Sequence, residues 1–112
     1  MKRIIAVIRE EMFDNVKMAL LQAGCEGMNV STVNGRGRQS KVRESYRGSS
    51  YCIDLIPKTR VELIVNEEDL DNIIDVIIEN ARTGEVGDGK IFVSDVEEVI
   101  RIRTGEKGSD AV

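Results

Sequence analysis

The apolar residues of this chain change their repeat from two residues to 3.6 within a single step, and do so twice. That limits the folds open to it. From Lys58 to Asn66, Val61, Leu63 and Val65 alternate with Arg60 and Glu62, the pattern of a strand buried on one face. Asn66 then stands as a helix N-cap, and Glu67, Glu68 and Asp69 load the first turn with negative charge. Leu70, Ile73, Ile74, Ile77 and Ala81 make the buried stripe of that helix, and Gly84 is placed to end it. The N-terminal part repeats the scheme. The β-branched run Arg3 to Arg9 reads as a strand covered on both faces, and Glu10-Glu11 opens a helix with Phe13, Val16, Ala19, Leu20 and Ala23 on its apolar side. Gly24 stops this helix as a residue free to turn left-handed.

Three further strands are expected: Gly27 to Gly35 by alternation, and short ones at Lys90 to Ser94 and Val99 to Arg103. Residues Thr104 to Val112 are polar and expected to be mobile. Strand, helix, strand, strand, helix, strand is the order of an α+β, ferredoxin-like βαββαβ fold, with both helices on one face of an antiparallel sheet. The 112 residues suffice for one core, so a single domain over residues 1–112 is expected. The link between the second and third strands is out of proportion, about twenty residues where hairpins take roughly two to five. Arg36 to Asp54 has no helix stripe and few apolar residues, and reads as a projecting arm.

Composition removes several chemistries. The chain has no histidine, which excludes a Cys/His zinc cage, a Ser-His-Asp triad and a haem histidine. Its two cysteines, Cys25 and Cys52, follow no metal spacing; a single disulfide is conceivable, and small buried hydrophobes are the preferred reading. No apolar run approaches the ~18 residues of a membrane span, and the N-terminus is too soon charged for a signal peptide, so a cytoplasmic protein without membrane insertion is expected. The net charge of −4 argues against general nucleic-acid affinity. That mean hides an asymmetry: Asn34 to Arg60 carries seven basic residues against two acids, while Asn66 to Glu98 carries eleven acids against two bases. A basic segment in an acidic protein points to anion capture at one place.

Three segments could supply that capture. Gly84-Glu85-Val86-Gly87-Asp88-Gly89-Lys90 has P-loop spacing up to its lysine, but Ile91 stands where a magnesium-binding hydroxyl belongs, and the loop leaves a helix to enter a strand. Its close glycines still allow backbone N–H groups to converge on an anion beside Lys90; a helix end followed by a turn is the plain alternative. Arg101 and Arg103, two apart on the expected last strand, would share a face about 7 Å apart, spacing that suits a polyphosphate or simply protects an edge strand. Gly35-Arg36-Gly37-Arg38-Gln39 offers close backbone approach, two cations and an oxygen ligand, or merely a solvated basic turn. In the arm, Tyr46-Arg47-Gly48-Ser49-Ser50-Tyr51 holds two of the four aromatic residues, as interface anchors and modifiable hydroxyls or with one tyrosine folded back on the body.

Taken together, Tyr46-Arg47-Gly48 with Tyr51, Thr83-Gly84 through Val93, and Arg101 to Glu106 closely resemble the PII nitrogen-regulatory signal proteins, over the whole chain. The resemblance implies a homotrimer with nucleotide sites between subunits, where ATP and ADP compete, and makes residues 36–56 the T-loop. It places Gly87, Asp88, Gly89 and Lys90 at the phosphates, Arg101 and Arg103 opposite them from a neighbouring subunit, and Gly35, Gly37 and Arg38 on the other side. Glu62 and Ile64 would lie near the base, with Asn29 able to hydrogen-bond the nucleotide. It further implies 2-oxoglutarate beside Mg-ATP, with Gln39 on Mg2+ and with Lys58 and Gly87 at the 2-oxoglutarate. Tyr51 matches a uridylylation position and Ser49 a phosphorylation position of family members. The implied partners are ammonium transporters and nitrogen-metabolism enzymes or regulators, reached through the T-loop. Glu10, Asn29, Arg36, Ser45 and Ser50 depart from common family residues.

Two other functions compete. The same element order serves RNA-recognition modules, but Lys58 to Val65 has no aromatic for base stacking, and neither has the first strand. A small ATP-hydrolysing enzyme would need a general base beside the glycine loop, where only Asp88 is available. The chain therefore reads as a non-catalytic sensor.

Overall fold

The computed structural model of the chain describes residues 1–36, 42–46, 49–53 and 55–112, with backbone alone for 42–46 and 49–53. Its strands are β1 (Lys2–Ile8), β2 (Asn29–Gly35), β3 (Val42–Tyr46), β4 (Ser49–Ile53), β5 (Ile56–Val65) and β6 (Gly89–Asp95), and its helices are α1 (Phe13–Gln22) and α2 (Leu70–Ala81). Four strands form an antiparallel sheet in the order β2-β5-β1-β6, which is the βαββαβ arrangement. β3 and β4 pair separately as a ribbon, with Val42 opposite Ile53 and Tyr46 opposite Ser49.

The apolar pattern decides which face is covered. Ile4, Ala6 and Ile8 of β1 and Val61, Leu63 and Val65 of β5 are buried in one cluster with Val16 and Leu20 of α1 and Ile73, Ile77 and Ala81 of α2. Each Val, Leu or Ile side chain in it contributes roughly 1.5–3 kcal/mol on removal from water. Both helices thus lie on one face, as the stripes require. The other face of β1 carries Arg3, Ile5 and Val7, which remain half-buried, so among the described residues no layer of this protomer covers the second face expected for that strand.

Helix ends differ from the expected ones in detail. Each helix is entered through a 3-10 turn, Glu10–Met12 before α1 and Glu67–Asp69 before α2. Asn66 holds the N-cap position before the second turn, yet its side chain makes no capping hydrogen bond. α1 closes as expected, with Gly24 at φ +90° and the N–H of Cys25 donating to the Leu20 carbonyl at 2.9 Å, which leaves Ala23 outside the helix. α2 stops at Ala81, three residues before Gly84, with Arg82 extended.

The expected strand Val99 to Arg103 is the clear correction. Here the chain turns back on itself: Ile100 forms an isolated bridge with Lys107, the N–H of Arg101 donates to the Glu106 carbonyl at 2.9 Å, and that of Gly105 to the Arg101 carbonyl at 2.8 Å. Gly105 and Gly108, both at φ +72°, permit the reversal. The supposedly mobile end is folded as well, with a 3-10 turn at Gly108–Ala111 and the Gly108 N–H on the Val99 carbonyl at 3.0 Å.

Candidate functional site

Register carries the strand residues of the expected site to one face. Glu62 pairs with Ile5 and Asn29, Lys58 with Val33, Gly35 with Ile56, and Lys90 with Val7, all out of phase with the buried Ala6 and Val61. Asn29, Gly35, Lys58, Glu62, Ile64 and Lys90 therefore all lie on the helix-free face. Two ends of that face have different chemistry.

At one end a cleft of about 690 Å³ is lined by Gly35, Arg36, Ile56, Lys58, Glu85 to Lys90, Val7 and Phe92. It brings together Gly35, Lys58 and the glycine loop, residues that the family resemblance assigns to neighbouring ligand positions. Lys58 is 9% exposed, and its ammonium donates to the Gly87 carbonyl at 2.6 Å. Burial, and next the positive charge of Arg9, push that ammonium below its ordinary pKa. A carboxylate or phosphate beside such a cation would restore the interaction it loses with water. Lys90, by contrast, is exposed on the rim.

The Asp88 side chain is turned to its own loop. Its carboxylate accepts the Thr83 hydroxyl and the N–H groups of Thr83 and Gly84, both at 2.9 Å, and takes Arg9 Nε at 3.0 Å. The Thr83 hydroxyl first, then Arg9 and the two N–H groups, hold this carboxyl well below the usual carboxylate range. An acceptor so engaged braces the loop, and only the Asp88 backbone is left for a ligand. α2 has already ended, with Arg82 extended, and these bonds hold Thr83 and Gly84 beyond it. Gly89 is fixed by packing: at φ +100°, a Cβ there would lie 1.7 Å from the Val7 carbonyl oxygen.

Arg9 and Thr83 belong to the site although neither stood out as a site residue. Arg9 follows the open-face residue Val7 by two at the end of an apolar strand, and that placement was the available signal.

At the far end of the face Glu62 sits between Arg3, hydrogen-bonded through Nε, and Arg60 Nη1 at 3.0 Å. The Arg3 bond foremost lowers its pKa. Glu62, Ile64 and Asn29 are thus not cleft residues of this protomer. Nor are Arg101 and Arg103: with no strand there, the common face argued for them is lost, and Arg101 Nη1 meets Glu106 at 3.2 Å. Gly37, Arg38 and Gln39 lie outside the described residues, and Ser49 and Tyr51 are described only as backbone in β4. Cys25 is half-buried against the core, and burial raises its thiol pKa; the Cys52 side chain lies outside the described residues. Among the described residues no group of His, Cys, Asp or Glu could hold a metal ion, and no helix is long and apolar enough to cross a membrane.

The geometry can be set beside known proteins. A family model described as "Nitrogen regulatory protein P-II" matches residues 1–106. Nitrogen regulatory protein P-II 2 of Methanothermobacter thermautotrophicus is 57% identical over 112 residues, all of this chain and 97% of that protein. Nitrogen regulatory protein P-II of Nostoc punctiforme is 54% identical over the full length of both. Among solved structures, the crystal structure of Arabidopsis thaliana PII bound to citrate superposes with a TM-score of 0.81 at 38% identity, over 99% of this chain and 91% of that one.

Proposed function

The chain belongs to the nitrogen regulatory protein P-II family, regulators rather than enzymes, and we propose that it acts as a homotrimeric cytoplasmic sensor of ATP, ADP and 2-oxoglutarate. The observation that carries this reading is the cleft in which Gly35, the buried ammonium of Lys58 and the loop Gly87-Asp88-Gly89-Lys90 converge. Nucleotide phosphates lie along the loop, on backbone N–H groups and Lys90. Arg101 and Arg103 of a neighbouring subunit complete the phosphate site, and Asn29, Glu62 and Ile64 serve the base across the same subunit boundary. Two features support assembly: the helix-free face carries Ile5, Val7 and Ile64 half-buried and Phe92 54% exposed, and the two arginines lie away from the cleft of their own protomer.

2-Oxoglutarate binds with Mg-ATP, its carboxylates on Lys58 and near Gly87, with Gln39 on the metal. The citrate named for the Arabidopsis relative supports a carboxylate site in this family. Ligand occupancy shifts the T-loop, residues 36–56, between states that engage or release ammonium transporters and nitrogen-metabolism enzymes or regulators. Ser49 and Tyr51, on the second strand of the ribbon, are the positions open to modification.

Calorimetric titration tests the core of the proposal. ATP and ADP should bind alone, and 2-oxoglutarate only once ATP and magnesium are present. Uptake of 2-oxoglutarate without nucleotide overturns the coupling, and light scattering at 12.5 kDa instead of three times that mass overturns the shared cleft.

A further inference from the structure

The loop between α2 and β6 has no internal backbone ladder. Among the described residues no backbone–backbone hydrogen bond outside regular elements involves residues 83 to 88, so side chains alone fasten the loop to the sheet. Two of these are cations, side by side at the end of the helix-free face. Arg9 Nη2 donates to the Val86 carbonyl at 2.7 Å, and Lys58 Nζ to the next carbonyl, Gly87, at 2.6 Å. Arg9 also takes Asp88 through Nε at 3.0 Å, and its side chain is 12% exposed.

Peptide geometry turns these contacts into a statement about the ligand side. In a trans peptide the C=O and the following N–H point in opposite directions. With the Val86 carbonyl held toward Arg9, the Gly87 N–H must face away from the guanidinium. Holding the Gly87 carbonyl on Lys58 orients the Asp88 N–H in the same way. No bond to another described residue engages either N–H. We infer that Arg9 is a positioning residue for this anion-binding loop: its guanidinium fork, joined to Val86 and Asp88, aims the Gly87 N–H at the bound phosphate without touching the ligand. The inference rests on the nucleotide reading of the cleft, and it adds a residue just past β1 to a site otherwise built from Gly35, Lys58 and the loop.

The fork is what matters, and this separates positioning from charge. A lysine keeps the positive charge, but its three N–H donors all leave one atom, without the rigid spread of Nε and Nη2 that holds Asp88 and Val86 in this geometry. Three variants are informative: R9K, R9Q and D88N. In calorimetry with ADP, R9K should bind at least fivefold more weakly than the unsubstituted protein and no more than twofold better than R9Q. D88N should weaken ADP in the same direction, and R9K combined with D88N should be no worse than the weaker single variant within twofold, because both break one network. In 15N relaxation of the ligand-free protein, the Gly87 and Asp88 amides should fall from the rigid range, S² about 0.85, toward the flexible one, below about 0.6, in R9K. Core amides of β5 should not change.

ADP binding by R9K equal to the unsubstituted protein, independent multiplication of the R9K and D88N effects, or unchanged loop order parameters in R9K would each overturn the inference. If the unsubstituted protein takes up no ADP, the nucleotide reading falls. The ligand-free relaxation data then still decide whether Arg9 orders the loop.

Discussion

The glycine loop at residues 83–89 and the turn at 99–108 are built from the same ingredients, glycines beside cations, but they are held by opposite means. Arg9, Asp88 and the buried Lys58 tie the loop to the sheet, and Gly89 lies against the Val7 backbone. The turn is closed by its own backbone, by Arg101 with Glu106 and by Glu98 on the Gly108 N–H, while Ile102 at its tip is 99% exposed. One segment is positioned by the core of its own protomer. The other is shaped locally and, on the trimer reading, acquires its place from a neighbour. Sites of the first kind fail when the fold is disturbed, and sites of the second kind fail when a surface residue is lost.

The largest effect expected from this contrast is on stability. Gly89→Ala puts a Cβ 1.7 Å from the Val7 carbonyl oxygen at φ +100°, whereas Gly105→Ala, at φ +72°, meets nothing within 4 Å. The first combines left-handed strain of about 1–2 kcal/mol with an overpacking cost of about 1–3 kcal/mol, for roughly 3 kcal/mol together. The second bears the strain alone, about 1 kcal/mol. Urea unfolding measures both, and equal costs would erase the distinction between a pinned loop and a free turn.

Binding should show the reverse. Arg103→Ala, in the turn, should weaken ATP tenfold or more, about 1.5–3 kcal/mol for a lost charged hydrogen bond, with the urea midpoint almost unmoved. Unchanged ATP affinity in both Arg101→Ala and Arg103→Ala would remove the turn from the site.

Acid distinguishes the two segments on a smaller scale. Asp88 titrates below its unfolded-state value, so its contribution to stability is complete above the ordinary carboxylate range and is lost as pH falls through and beneath it. Asp88→Asn should therefore flatten the acid limb of a stability-against-pH curve below about pH 4. If the limb is as steep in Asp88→Asn as in the unsubstituted protein, the loop brace is not ionic.

How much of this could be read in the sequence follows from the same contrast. The stripe of α2 and the alternation of β5 are legible because burial imposes their periods, and the core contains the Ile73, Ile77, Val61, Leu63 and Val65 they name. Lys58 and the glycine loop were legible as chemistry, and antiparallel register brings them together. Val99 to Arg103 misled because its alternation matches a strand, yet a strand also needs an edge to pair with, and periodicity is silent about edges. The ribbon of β3 and β4 was missed for a related reason: the sequence from Arg36 to Asp54 has few apolar residues and no period to mark two paired segments. Arg9 was hidden by its position at a strand end, where a charge usually means only that the strand has met water.

The smallest effect tests the turn itself. Arg101 and Glu106 meet at 3.2 Å with side chains 39% and 42% exposed, an ion pair open to solvent on both sides. Such pairs contribute about 0.2–1 kcal/mol, and Glu106→Gln should lower stability by no more than that, a difference that shrinks in 1 M salt where screening reaches about 3 Å. Its effect on binding should have the opposite sign. If Arg101 serves a phosphate, Glu106 competes for the same guanidinium, so Glu106→Gln should tighten ATP slightly, by about 0.2–1 kcal/mol or up to fivefold. Lower stability with tighter binding is the signature of a residue held locally until a ligand takes it over. A stability loss well above 1 kcal/mol together with weaker ATP binding would mean that the ion pair places the turn as rigidly as Asp88 places the loop, and the two regions would then work by one principle.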